Sequence, residues 1–216
     1  MSANKKVFLH VGAPKCGTTF LTSFLKNIVI SSTLEKHGFE FFDIFGTIFR
    51  DMQIRESKDG FVNLCDYKLT KATIPDDALK KYTADLIQKI TNSKNQKFII
   101  IQENFSYFGL MHPGFMRRFI DIVLKPLKAH FDVNVILFIR PQTKLIESLY
   151  LQHVRLGLTQ NIETYLSNLR LKHFSWLQHI ELFSPISTTS TCIVIPFLPT
   201  EIKKIFCKNF AELFLE

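Results

Sequence analysis

The sequence predicts a three-layer α/β/α fold around a mainly parallel central sheet. The prediction rests on short continuous apolar runs, amphipathic stripes between them, and the bulk composition of one globular domain. Val7 to Val11, Phe98 to Ile101, Val133 to Ile139 and Cys192 to Ile195 are rich in β-branched residues and Phe, the pattern of strands buried on both faces. Leu21, Phe24, Leu25 and Ile28 recur at helical spacing, as do Leu79, Tyr82, Leu86 and Ile90 behind a Pro75-Asp76-Asp77 start. Further stripes occupy about 115–128, 143–156, 161–170, 174–183 and 200–214. Buried strands alternating with amphipathic helices give a sheet covered on both sides.

No repeat or low-complexity stretch interrupts the chain, so residues 1–216 read as a single domain. The segment at about 31–72 fits least well. It sets Phe39, Phe41, Phe42, Phe45, Phe49 and Phe61 among Gly38, Gly46 and Gly60, and reads as an irregular excursion that could wall a ligand cleft.

With 216 residues, 46% of them hydrophobic and 21% charged, the chain is neither a disordered tail nor a collagen-like rod. Its net charge of +8 suits an anionic partner: nucleotide, nucleic acid, membrane or acidic polysaccharide. No nucleic-acid-binding motif accompanies the charge. Twenty-two Phe provide a large core or an aromatic cleft. Cys16, Cys65, Cys192 and Cys207 form no C-x-x-C pair or zinc spacing, which suits a reduced compartment. No apolar run nears the ~20 residues of a membrane span, and MSANKK leads into a strand without a signal-peptide core. A cytoplasmic, soluble protein is the expectation.

The most informative stretch is Val7-Phe-Leu-His-Val-Gly12-Ala-Pro14-Lys15-Cys16-Gly17-Thr18-Thr19-Phe-Leu21, a strand running through a glycine-containing turn into a helix. Unpaired N–H groups at such a helix start, at the positive end of its dipole, are built to hold an anion. Gly12 and Gly17 permit close backbone approach. Their spacing is that of a nucleotide-triphosphate loop, G-x-x-x-x-G-K-[ST], but Thr18 stands where that loop has its lysine, and Lys15 lies inside the turn. A thiol at a helix start beside Lys15 is expected to have a lowered pKa, which makes Cys16 a rival nucleophile. A cysteine-phosphatase loop needs an arginine six residues on, where this chain has Thr22. Cys16 is therefore read as a loop residue.

A second anchor follows the strand Val133 to Ile139: Arg140-Pro141-Gln-Thr-Lys-Leu-Ile-Glu-Ser148-Leu-Tyr150. Pro141 ends the strand, Arg140 can present its guanidinium fork to a phosphate, and Ser148 can add a hydroxyl from two turns into the next helix.

Pro14-Lys15-Cys16-Gly17-Thr18-Thr19-Phe20-Leu21 resembles the 5′-phosphosulfate loop of sulfotransferases, and FIRPQTKLIESLY resembles their 3′-phosphate motif. The resemblance covers roughly 7–30, 97–110 and 133–215, and is nearest the carbohydrate-type and bacterial branch. It implies transfer of a sulfuryl group from 3′-phosphoadenosine 5′-phosphosulfate to a hydroxyl or amine of a carbohydrate-like acceptor, leaving adenosine 3′,5′-bisphosphate. Gly12, Pro14, Lys15, Cys16, Gly17, Thr18 and Thr19 would surround the 5′-phosphosulfate; Arg140 and Ser148 would hold the 3′-phosphate. The implied scheme requires no metal. The cytosolic small-molecule branch has a late R-K-G-x-x-G-D-W loop; nothing from Ser184 to Glu216 matches it, so no adenine-binding residue carries over.

Lys15 is expected to stabilise the leaving oxygen. For the base that takes the acceptor's proton, Glu103 stands first, because the strand Phe98 to Ile101 delivers it to the edge where Lys15 lies. Glu40 stands second, since E-F-F-D at 40–43 resembles the glutamate-bearing loop of heparan sulfotransferases with altered spacing. His37 and His112 read as loop residues, and His10 as a satisfied core residue. A P-loop kinase or NTPase, and a non-catalytic nucleotide-binding relative, are the alternatives.

Overall fold

The computed structural model describes residues 5–12, 16, 21, 23, 25, 27–43, 75–102, 113–155, 157–169 and 174–197. Five parallel strands form one sheet in the order β2-β3-β1-β4-β5. They are β1 Lys6–Val11, β2 Phe39–Asp43, β3 Lys97–Gln102, β4 Asp132–Ile139 and β5 Cys192–Pro196. Four of the five are the apolar runs the sequence marks out.

The sheet alternates its side chains between two apolar layers, as strand geometry requires. Val7, Leu9 and Val11 of β1 pack on one face with Leu79, Leu86 and Ile90 of helix α2 (Asp76–Asn92) and with Phe119, Val123 and Phe183. Phe8 of β1 faces the other way, among Cys16, Leu21, Leu25, Ile101, Ile136 and Phe138. The α/β/α layering therefore follows from β1 being apolar on both sides.

The connections leave the sheet on opposite faces, and this locates the ligand-binding edge. Beyond β1 the chain passes Leu21 and Leu25, on the second face, to α1 (Ile28–Lys36) and outward to β2. Beyond β3 it passes α3 (Pro113–Phe119) on the first face and crosses past β1 to β4. Where neighbouring strands send their chains to opposite faces, a crevice opens at their carboxyl ends. Here the neighbours that do so are β1 and β3.

The irregular excursion expected at about 31–72 is corrected in part. Residues up to 36 are helical, Gly38 ends α1 with φ +76° and its N–H on the Glu35 carbonyl (2.9 Å), and 39–43 form an edge strand. Phe39 and Phe41 pack on the second face, so F-E-F-F-D alternates as a short strand without any β-branched residue. Residues 44–72 lie outside the described residues.

One long helical passage carries an internal repair. α3 runs into a π turn at Ile120–Leu124, then α4 (Lys125–His130), and the Lys125 N–H bonds five residues back to the Ile120 carbonyl. Pro126 has no N–H to give Ile122, four residues earlier, which leaves a carbonyl without its helical donor. The buried Thr83 of α2 supplies the substitute: its hydroxyl lies 3.2 Å from the Ile122 carbonyl and 2.8 Å from that of Leu79. Thr83→Val is expected to cost about 1–3 kcal/mol by orphaning that carbonyl, with Thr83→Ser retaining most of the stability. Urea unfolding of the three proteins measures it.

Lys5 has a structural role. Its ammonium bonds the carbonyls of Ile90 (2.7 Å), Thr91 (3.0 Å) and Ser93 at the negative end of α2.

Candidate anion-binding site

The first anchor begins where β1 ends. β1 and β4 are hydrogen-bonded neighbours, with His10 opposite Ile136. The same register sets Gly12 level with Phe138, and Arg140 follows directly after β4. With strands about 4.8 Å apart and about 3.3 Å of rise per residue, the backbones of Gly12 and Arg140 lie about 8 Å apart. Two sequence motifs separated by more than a hundred residues thus meet at one edge of the sheet.

Cys16 is fully buried among Phe8, Leu21, Leu25 and Phe138, so the middle of the turn is anchored in the apolar layer beneath it. That burial pushes the thiol up to about 12, against the opposing pull of the Arg140 charge. The lowered pKa expected from a helix start is corrected: desolvation outweighs the positive surroundings. In the native protein Cys16 is expected to resist alkylation at pH 8 and to react once unfolded; peptide mapping after iodoacetamide treatment reads the difference.

The backbone at Arg140 is held by two hydrogen bonds. Its carbonyl accepts a hydrogen bond from the indole N–H of Trp176 (2.8 Å), and the adjacent Ile139 carbonyl accepts from the N–H of Phe197 (2.6 Å). The guanidinium carbon stands 5.8 Å from the centre of the Phe197 ring, an orienting cation–π contact. Gln142 adds a bond from its side-chain amide to the Phe174 carbonyl (2.6 Å). Ser148 lies half-buried on helix α5 (Gln142–Arg155), beside the buried Leu145 and Leu149. Trp176 and Phe197 were not singled out as site residues from the sequence. The lone Trp beside Ser175, which caps α6 (Trp176–Phe183), was the available signal.

His10 is also corrected. It is a core residue, 2% exposed and edge-on to Phe138 with ring centres 4.5 Å apart, but neither ring nitrogen has a hydrogen-bond partner among the described residues. Burial lowers its pKa to about 3, so the imidazole is neutral.

The structure does not bring Glu40 to this edge. Glu40 pairs with Phe98, which pairs with Val7, five residues before Gly12 and about 16 Å along the strand direction. Its carboxylate instead accepts from Ser93 Oγ (2.6 Å) and Asn95 Nδ2 (3.3 Å). Glu40 opens onto a groove of about 1140 Å³ at the amino end of the sheet, also lined by Glu35, Asp85 and Lys89. Its carboxylates make it a poor anion site. His37 precedes Gly38 at that same end. Pro14, Lys15, Gly17, Thr18, Thr19, Glu103 and His112 lie outside the described residues. Gln102, immediately before Glu103, pairs with Val11, so β3 ends beside β1.

The fold is similar to that of a solved sulfotransferase from Alicyclobacillus acidocaldarius. The TM-score is 0.55 at 16% sequence identity, and the match covers 99% of this chain and 80% of that one. No protein-family model matches the chain, and no curated protein sequence matches it. Among the described residues, no helix is long and apolar enough to cross a membrane.

Proposed function

We propose that this chain is a single-domain sulfotransferase that moves a sulfuryl group from 3′-phosphoadenosine 5′-phosphosulfate to a hydroxyl or amine of a carbohydrate-like acceptor. The observation that carries the reading is the pairing of β1 with β4, which sets the Gly12 turn and Arg140 side by side at the carboxyl edge. Arg140 after β4, and a turn after the neighbouring β1 whose sequence carries Lys15, suit a ligand with anionic groups at both ends. The similarity in fold to a sulfotransferase supports the same reading.

The chemistry assigned to the residues is positional and electrostatic. Backbone N–H groups of the turn, with Thr18 and Thr19, bind the 5′-phosphate, while Arg140 and Ser148 bind the 3′-phosphate. In the transfer step the bond between sulfur and the bridging oxygen breaks as the acceptor oxygen or nitrogen bonds to sulfur. Lys15 stabilises charge on the departing oxygen, and Glu103 takes the acceptor's proton. Adenosine 3′,5′-bisphosphate leaves. The +8 charge and the Phe-rich stretch at 39–61 suit an anionic sugar acceptor stacked on aromatic rings.

Calorimetric titration with adenosine 3′,5′-bisphosphate, set against ATP with magnesium, tests the donor assignment. Preference for the bisphosphate is expected; preference for ATP overturns the assignment in favour of a P-loop kinase or NTPase. Single-turnover transfer to a pool of glycans then tests the acceptor, and Glu103→Gln is expected to slow it about a hundredfold or more. Equal rates would remove Glu103 as the base.

A further inference from the structure

Phe197 meets Arg140 at a fixed level of the sheet. Ile139 is in register with Pro196, so Phe197 leaves β5 where Arg140 leaves β4, and the Phe197 N–H donates to the Ile139 carbonyl at 2.6 Å. The Phe197 ring is half-buried against the second apolar layer, whose members on β4 are Ile136 and Phe138. Backbone and ring are thus both fixed by neighbours. Beside this ring, 5.8 Å from its centre, stands the guanidinium carbon of Arg140. Because β4 lies between β1 and β5, the contact ties the Arg140 charge to the residue after β5, across β4 from the strand that leads to Gly12.

The type of contact matters for binding. A carboxylate here would neutralise the guanidinium and occupy its fork, whereas an aromatic ring attracts the cation through its quadrupole and takes no N–H donor. The ring also restrains a long, flexible side chain, which lowers the ordering cost that a ligand otherwise bears. We propose that Phe197 is a positioning residue that sets the spacing of the two anion anchors: it holds Arg140 toward β5, so that the site selects a nucleotide with phosphates on separate ribose carbons over one with contiguous phosphates. This inference rests on the donor-binding role proposed above. Adenosine 3′,5′-bisphosphate and ADP are isomers, so a difference in their affinities reports the placement of the phosphates rather than their number.

Calorimetry with adenosine 3′,5′-bisphosphate and with ADP, both without magnesium, is the test, and the wild-type protein is expected to favour the bisphosphate. Phe197→Leu is expected to weaken bisphosphate binding about fivefold and to leave ADP binding within about twofold, while Phe197→Tyr, which keeps the ring, retains the wild-type preference. The ring acts through Arg140, so adding Phe197→Leu to Arg140→Ala is expected to cost no further bisphosphate affinity. Should Phe197→Leu fail to fold, pentafluorophenylalanine at position 197 keeps the ring's shape, reverses its quadrupole and is expected to give the same selective loss. A wild type without preference for the bisphosphate over ADP, an equal fall in both affinities, no fall in either, or a loss that persists without Arg140 overturns the inference. The donor assignment stands through all four so long as the wild type prefers bisphosphate to ATP with magnesium. Failure of the wild-type protein to bind bisphosphate overturns both.

Discussion

Arg140→Ala is expected to weaken adenosine 3′,5′-bisphosphate binding about a hundredfold while leaving the melting temperature nearly unchanged. The magnitude follows from losing a bidentate, charge-assisted pair, at about 1.5–3 kcal/mol for each hydrogen bond to a charged group. The fold should tolerate the change because the main-chain bonds at this residue do not need its side chain: the Trp176 indole binds its carbonyl, and Phe197 binds that of Ile139. Alanine keeps both bonds. Arg140→Lys should recover only part of the affinity, since an ammonium keeps the charge and loses the planar fork. Calorimetry on the three proteins is decisive, and equal affinities would remove Arg140 from the site.

Phe98→Ala is expected to produce the largest loss of stability, about 3–5 kcal/mol, seen as a fall of about 10 °C or more in melting temperature. Phe98 is fully buried on β3, with Val7 paired on one side and Glu40 on the other. Its ring also carries the Lys5 ammonium 5.5 Å from its centre, the same ammonium that closes the end of α2. Removing it leaves a cavity in the first apolar layer and loosens the support under Lys5. Chemical denaturation would show the effect as a lower midpoint, and a loss below about 1 kcal/mol would mean that the layer collapses to fill the space.

Where the strands lie was legible because β1, β3 and β4 are buried on both faces and carry no competing helical period. β2 was not legible. Its five residues offer Phe and acidic side chains instead of β-branched ones, and its strand character comes from pairing with β3. The Gly38 stop before it, read as part of an irregular stretch, was the local signal that a helix had just ended. Arg140 could be singled out from its strand-proline context, and the sheet order puts the strand it follows next to the strand that leads to Gly12. The Cys16 pKa was misjudged for a related reason: sequence shows the helix start and the lysine, and says nothing of how deeply the thiol is covered. Glu40 failed on position along a strand that the sequence did not reveal. His10 is the subtler case, since its alternation marks it as inward-facing without showing whether anything waits there to bond it.

The bond from Trp176 to the Arg140 carbonyl gives the protein a built-in optical reporter. The chain has one tryptophan, so its near-ultraviolet emission comes from a single indole, and that indole is fastened to the residue proposed to grip the nucleotide. The His179 ring lies tilted against it, with ring centres 5.5 Å apart. Any event that shifts the Arg140 turn changes the polarity and quenching around this one fluorophore, so occupancy of the site can be followed in unlabelled protein.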